Sequence, residues 1–316
     1  MLILPLSVRC HCHKNMFDGL TFYLYVGSLC CSVVTLTLNG SILIKKFTKA
    51  GGPSGNLKIQ YVCVFYYWIF AASGFFYSAH MVYAVKDPNR NPNLIFWFGS
   101  VLYSLEHGIP FGNIFIATDR LVAVQSPLLY GKRYSKLIFR AYVFIVPTSS
   151  VVTLLLFSFN QTFQPPGINF GQHVNILALH VFQAFNVGFC FINTVISVAF
   201  LLCLMKFVKR QSTGVNTSLL QTMKRANQIV IYQILLEFVF VVAPAVITIV
   251  CIYGFGFNPV THVGAYPMFL VLLYTAACSL MFAVKLGNSQ DTSSTTTAKI
   301  SVIVTLDKKN KCNVKT

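Results

Sequence analysis

Acidic side chains are scarce in this chain: seven Asp and Glu stand against 24 Lys and Arg, and charged residues of both signs make up 10% of its 316 positions. Soluble domains carry about 25% charged residues, so a water-soluble globular fold is excluded. A hydrophobic fraction of 55% and a mean hydropathy of +0.67 mark a membrane protein instead. The period-two alternation of a barrel strand is missing as well. Runs such as LLCLM and SVVTLTL are continuously apolar, which leaves helices as the spanning form. No serine, histidine and acid set and no metal-binding constellation stands in the apolar segments, so neither enzyme chemistry nor a metal or cofactor is expected. The first eight residues are apolar but lack a basic start, and Arg9 to Lys14 interrupt them. The first spanning helix is therefore expected to serve as its own signal.

What the chain does have is apolar segments long enough to cross a hydrocarbon layer of about 30 Å, which takes a helix of about 20 residues. Seven are counted, near 20–44, 59–85, 94–118, 137–159, 174–205, 229–254 and 260–284. The expected organisation is an all-α membrane bundle over 20–284, an extracellular N-terminus over 1–19, and a disordered cytoplasmic tail over 285–316. Twenty of the 24 basic residues fall in the loops after helices one, three and five and in the tail, leaving Arg9, Lys14, Lys86 and Arg90 on the other side. Short cytoplasmic loops retain positive charge, so the N-terminus is expected outside and the C-terminus inside. The net charge of +17 is then a topological signal and a match to anionic inner-leaflet lipid, with no nucleic-acid partner required.

Seven of the ten cysteines lie in apolar segments, where Cys behaves as a small hydrophobe. Cys10, His11, Cys12 and His13 form an outer cluster, but adjacent ligands wrap one tetrahedral ion poorly. A disulfide or a solvated leader is the expected reading.

The segment FIATDRLVAVQSPLLYGKRYSK, 115–136, closes the third helix. An Arg at the membrane edge is costly unless neutralised, and Asp119 beside Arg120 supplies the charge. Alone, the pair also reads as a marker of the helix end. Pro127 directs the following turns out of the bundle. Together Asp119, Arg120, Ala123, Val124, Pro127, Leu128 and Tyr130 spell D-R-x-x-A-V-x-x-P-L-x-Y, which resembles the signature of rhodopsin-like G-protein-coupled receptors, with Leu121 where that family usually has Tyr. The start of helix six, KRANQIVIYQILLEFVFVVAPAVI, is similar to nematode serpentine chemoreceptors of the Srbc and Srsx groups. The resemblance covers nearly the whole chain by topology, but its specific motifs sit in helices three and six. Helix two has no Asp, helix four no Trp and helix seven no NPxxY, and no Cys is placed to tie helix three to the second outer loop.

The resemblance implies a chemosensory receptor of the plasma membrane, of the kind that a sensory cilium carries. Its expected partners are a heterotrimeric G protein, a small-molecule ligand and the lipid bilayer. Lys209, Arg210, Lys224 and Arg225 bracket the inner loop expected to meet the G protein. They are explained equally well by topology.

Only Glu106 and Glu237 place a carboxylate within the apolar segments, which costs on the order of 3 kcal/mol at the bilayer centre and points to a cavity or a partner. Glu106 lies 13 residues before Asp119, about 20 Å away along the helix, and both acids are expected at a similar depth. Helices three and six border one cavity in the receptor fold, so Glu106 becomes the expected floor of a ligand pocket. There it either binds a cationic group or sits protonated as a donor; a structural hydrogen bond is the alternative. His107 points elsewhere, since successive helical residues do not share a face. It reads as a further ligand contact or as a neutral histidine bonded to a backbone carbonyl. Tyr103, His180, Phe182, Phe185 and Tyr266 are the expected upper lining. Pro244 removes one backbone bond and gives helix six a pivot, with Glu237 seven residues before it in a gating or packing role. Asn160 heads an outward sequon, and 289–297 reads SQDTSSTTT, open to phosphorylation. A seven-helix transporter or ion channel is the rival class. It would call for inverted repeats or a charged relay, and no repeat is evident.

Overall fold

The computed structural model describes residues 6–48, 58–85, 87, 91–126, 129–162, 170–211, 228, 231–256 and 265–284, and the side chains of these apart from 6–18, 132, 207–211 and 252–253. Pro127, Leu128, Lys224, Arg225 and the tail lie outside the described residues, as do the side chains of Cys10, His11, Cys12, His13, Lys209 and Arg210.

Helix α1 runs Leu6–Thr48. It begins well before the expected start near residue 20, because no Gly or Pro between Leu6 and Asp18 interrupts it and the charged residues there are good helix formers. The expected extracellular segment is thus largely the first turns of α1. After α2 (Lys58–Ala84), α3 (Pro92–Gln125) opens with Pro92 in its first turn and Asn91 as cap, its side chain accepting from the Asn93 amide at 3.0 Å. It ends two residues short of Pro127, which excludes a longer helix. A wide π turn, Tyr130–Tyr134, leads into α4 (Ser135–Phe159). The chain then returns through a short bridge between Gln161 and Val174 and a 3₁₀ turn, Phe170–His173. Asn175 caps α5 (Ile176–Gln211) by accepting from the Leu177 amide at 2.9 Å. Helix α6 covers 231–255 and α7 Tyr266–Val284. Gly256, at φ 63°, closes α6 in the left-handed conformation that glycine adopts without strain.

Six of these helices are long and apolar enough to cross a membrane: Gly19–Thr48 within α1, α2, α4, Ile176–Lys206 within α5, Ile231–Cys251 within α6, and α7. The chain is a multi-pass helical membrane protein. Helix α3 is more polar than the six, and its position accounts for this. His107, Gly108, Ile109 and Pro110 are buried in succession, and four residues at about 100° each cover the whole circumference of a helix. With α2, α4 and α5 packed around it, α3 keeps an exposed apolar stripe only at its start, at Leu94, Trp97 and Val101.

Helices α1 and α2 run antiparallel, with Tyr25 edge-on to Tyr77 and the Lys46 ammonium 5.2 Å from the centroid of the Tyr61 ring. Gly74 lets α2 approach α1 and α7 together, since a Cβ there would stand 2.9 Å from Leu272 and 3.0 Å from the Ser32 hydroxyl. At Gly108 the Tyr66 ring passes directly over α3. Its hydroxyl donates to the Leu105 carbonyl at 2.6 Å and lies 2.9 Å from the Ser150 hydroxyl, joining α2, α3 and α4.

Candidate functional site

Helix α3 carries three polar stations. Nearest its end, Asp119 and Arg120 are 3% and 5% exposed, inside the last two turns of the helix and not beyond it as the sequence suggests. The Arg120 Nε stands 3.6 Å from Asp119 Oδ2. Tyr130 in the π turn donates its hydroxyl to Asp119 Oδ1 at 2.9 Å. Oδ1 thus holds a hydrogen bond, while Oδ2 has the guanidinium near it at ion-pair distance without a hydrogen bond among the described residues, and the residues that follow α3 are tied back onto it. Ala123 is half-buried on the same stretch, and Gln125 donates to the Cys203 sulfur of α5 at 3.3 Å. Pro127 of the same pattern lies outside the described residues.

Six residues before Asp119, about 9 Å along the helix, Asn113 is the hub of a buried cluster drawn from five helices. Its amide nitrogen donates to Glu237 of α6 at 2.8 Å and to the Tyr274 hydroxyl of α7 at 2.9 Å. Its amide oxygen accepts from Gln233 of α6 at 2.6 Å and from the Tyr67 hydroxyl of α2 at 3.2 Å. Asn193 of α5 donates to the same Glu237 oxygen at 2.6 Å. A carboxylate taken out of water is stable only when hydrogen-bonded, and two side-chain amides meet that need on Oε2.

Glu106 stands seven residues before Asn113, about 10 Å nearer the other end of α3. The two acids are therefore not at one depth as expected: Glu237 is level with Asn113. No hydrogen bond joins Glu106 to Glu237 among the described residues. Glu106 Oε2 is buried and has no hydrogen-bond partner there. His107 does turn away from Glu106, but its partner is a side chain and not the backbone carbonyl expected. Its Nδ1 lies 2.6 Å from Asn186 Oδ1 of α5, and its ring packs among Phe111, Phe182 and Phe189.

The upper lining differs from the sequence-based expectation. Tyr103 and Phe182 do face inward, yet Tyr103 stacks on Phe170 with centroids 4.7 Å apart. Phe170, from the 3₁₀ turn, is 2% exposed and also meets Phe96 and Phe157. Its ring enters where Gly99 leaves room. His180 and Phe185 are exposed on the outside of α5, because α5 turns its Ala178 and Phe182 face to the bundle. Tyr266 bonds to the Thr248 hydroxyl and joins α7 to α6 at the far side of Pro244.

Pro244 sits in the first turn of the helix Ala243–Phe255, directly after a π turn, Phe238–Val242. The missing amide of Pro244 and the bulk of its ring favour such a widened turn, which is the local irregularity expected of a pivot. Asn160, the sequon residue, is half-buried at the end of α4 and donates its side-chain amide to the Leu156 carbonyl at 2.9 Å. A glycan on that nitrogen would leave it a single N–H for this bond.

Tyr67, Asn113, Asn193, Gln233 and Tyr274 are site residues that the sequence did not single out. Asn113, Asn193 and Gln233 each interrupt an apolar run, and a side-chain amide there needs a partner as much as a carboxylate does. No protein-family model and no curated protein matches the chain.

Proposed function

We propose that the chain is a rhodopsin-like G-protein-coupled receptor of the chemosensory kind, with α3 as the central helix of a seven-helix bundle. In this reading the N-terminus is outside, the C-terminus is cytoplasmic, and the molecule resides in the plasma membrane, as in a sensory cilium. A small molecule binds toward the Glu106 end of α3, and a heterotrimeric G protein docks at the Asp119 end. The surplus of Lys and Arg on that side supports the orientation.

The observation that carries the reading is the Asp119–Arg120 pair, buried at the end of α3 with Tyr130 bonded across to Asp119. An arginine held within its own helix end is a stored contact. When α6 moves aside, Arg120 can extend and meet backbone carbonyls of a partner. The π turn before Pro244 supplies a hinge for that movement, and a ligand drives it only through a difference in affinity between the two positions of α6.

The test is a screen of small volatile and polar compounds on cells expressing the chain, read by calcium or cyclic nucleotide, followed by Arg120→Ala on a responding compound. The variant should reach the surface and fail to drive guanine-nucleotide exchange. Unchanged exchange overturns the reading, and current in the absence of any G protein assigns the chain to the channel class.

A further inference from the structure

Helix α6 buries its polar residues more deeply than its apolar ones: Ile234, Leu236, Phe240 and Val241 pack only partly buried against the core. Its span Ile231–Cys251 has the highest mean hydropathy of the six, 2.7, and only 6% of its apolar 18-residue window is buried, against 22–50% in the windows of the other five. Among its described residues the buried ones are Gln233 and Glu237, at 3% and 4% exposure, while its apolar side chains are half-buried or exposed. Toward α7 an apolar groove opens, lined by Leu235, Val239, Ala277 and Leu280. Lipid tails are as apolar as leucine, so an apolar helix surface gains little by leaving them for another helix. Apolar content alone does not keep α6 on the bundle.

Its polar residues can. Glu237 Oε2 accepts from Asn113 Nδ2 at 2.8 Å and from Asn193 Nδ2 at 2.6 Å, and Gln233 Nε2 donates to Asn113 Oδ1 at 2.6 Å. All three bonds lie on one side of Pro244, the side that leads to the inner loop. We infer that Asn113 and Asn193 are positioning residues that set the resting place of α6 through Glu237, and that Glu237 acts as a hydrogen-bond acceptor and not as a charge. Both donors are neutral amides. Glu237 Oε1 receives no donor among the described residues, so a glutamine that accepts through one atom and places its NH₂ at the other loses neither bond. Leucine at 237 loses both.

The test uses the full chain in lipid nanodiscs, with spin labels introduced through non-natural residues at the exposed Lys136 of α4 and Tyr232 of α6. Wild type and Glu237→Gln should share one interlabel distance. Glu237→Leu should add a longer one, with the swung population raised about tenfold or more for the lost bonds. Should Glu237→Leu not accumulate, Asn193→Leu, which removes one of the two bonds, carries the same expectation. An unchanged distance in the leucine variant overturns the inference, and so does a Glu237→Gln that swings as far as Glu237→Leu, since charge would then be what matters. Signalling through this restraint rests on the receptor reading. A swing of α6 without higher basal nucleotide exchange keeps the restraint and overturns that reading instead.

Discussion

The Tyr130 hydroxyl reaches back to Oδ1 of Asp119 at 2.9 Å, so the turn that follows α3 is fastened to the same carboxylate that faces Arg120. The bond closes a loop of eleven positions, and it makes the C-terminal end of α3 and the start of α4 one unit. Hydrogen bonds to a charged group contribute roughly 1.5–3 kcal/mol. Tyr130→Phe deletes this one and keeps the ring. Amide hydrogen exchange over 129–134 should then be faster by about tenfold or more, while α2 keeps its protection. Unchanged exchange in the π turn would show that the turn is held by its backbone alone.

Gly108 marks the junction of α2, α3 and α4, where Tyr66 bonds to Leu105 and Ser150 across the helix surface. A methyl at 108 collides with the Tyr66 ring and hydroxyl. Overpacking of this kind costs about 1–3 kcal/mol, so Gly108→Ala should lower the thermal midpoint of the solubilised protein by about 2–10 °C. Gly188 on α5 is exposed, and a methyl added there would meet nothing within 4 Å. Gly188→Ala should leave the midpoint unchanged or raise it, because alanine is the better helix former. Equal effects at the two sites would contradict the packing account.

How far the chain was legible depended on how local each feature was. Six of the seven expected spans followed from apolar length, the third being a helix too polar to count among them, and Asp119–Arg120 followed from side chains adjacent in sequence. The start of α1 was not legible, because a charged stretch looks like a break although charge alone does not stop a helix. Phe170 was invisible because nothing in its loop marks the residue that will fill the space over Gly99. The Glu237 cluster was half legible. The cost of a buried carboxylate announced that a partner existed, but Asn113 and Asn193 lie 124 and 44 positions away, and only the packing of α3 and α5 against α6 brings them together. For Glu106 the same reasoning foresaw a cavity or a partner, and no partner is present among the described residues.

Glu106 therefore carries a cost in stability, which the receptor reading assigns to recognition of a ligand. A buried polar atom without a partner costs about 1–3 kcal/mol, and proteins keep such groups chiefly where function uses them. Leucine is similar in size and makes no polar demand, so Glu106→Leu should raise the thermal midpoint of the ligand-free protein by about 2–10 °C. In the receptor reading it should also weaken the response to any compound that engages the carboxyl, without changing basal nucleotide exchange. Glu237→Leu, by contrast, takes the acceptor from the Asn193 amide and one of two acceptors from the Asn113 amide, and should lower the midpoint. The opposite signs at two acids in the same bundle are the decisive comparison. A midpoint that falls for Glu106→Leu as well would mean that its carboxyl is held by a stabilising contact and is not reserved for a ligand.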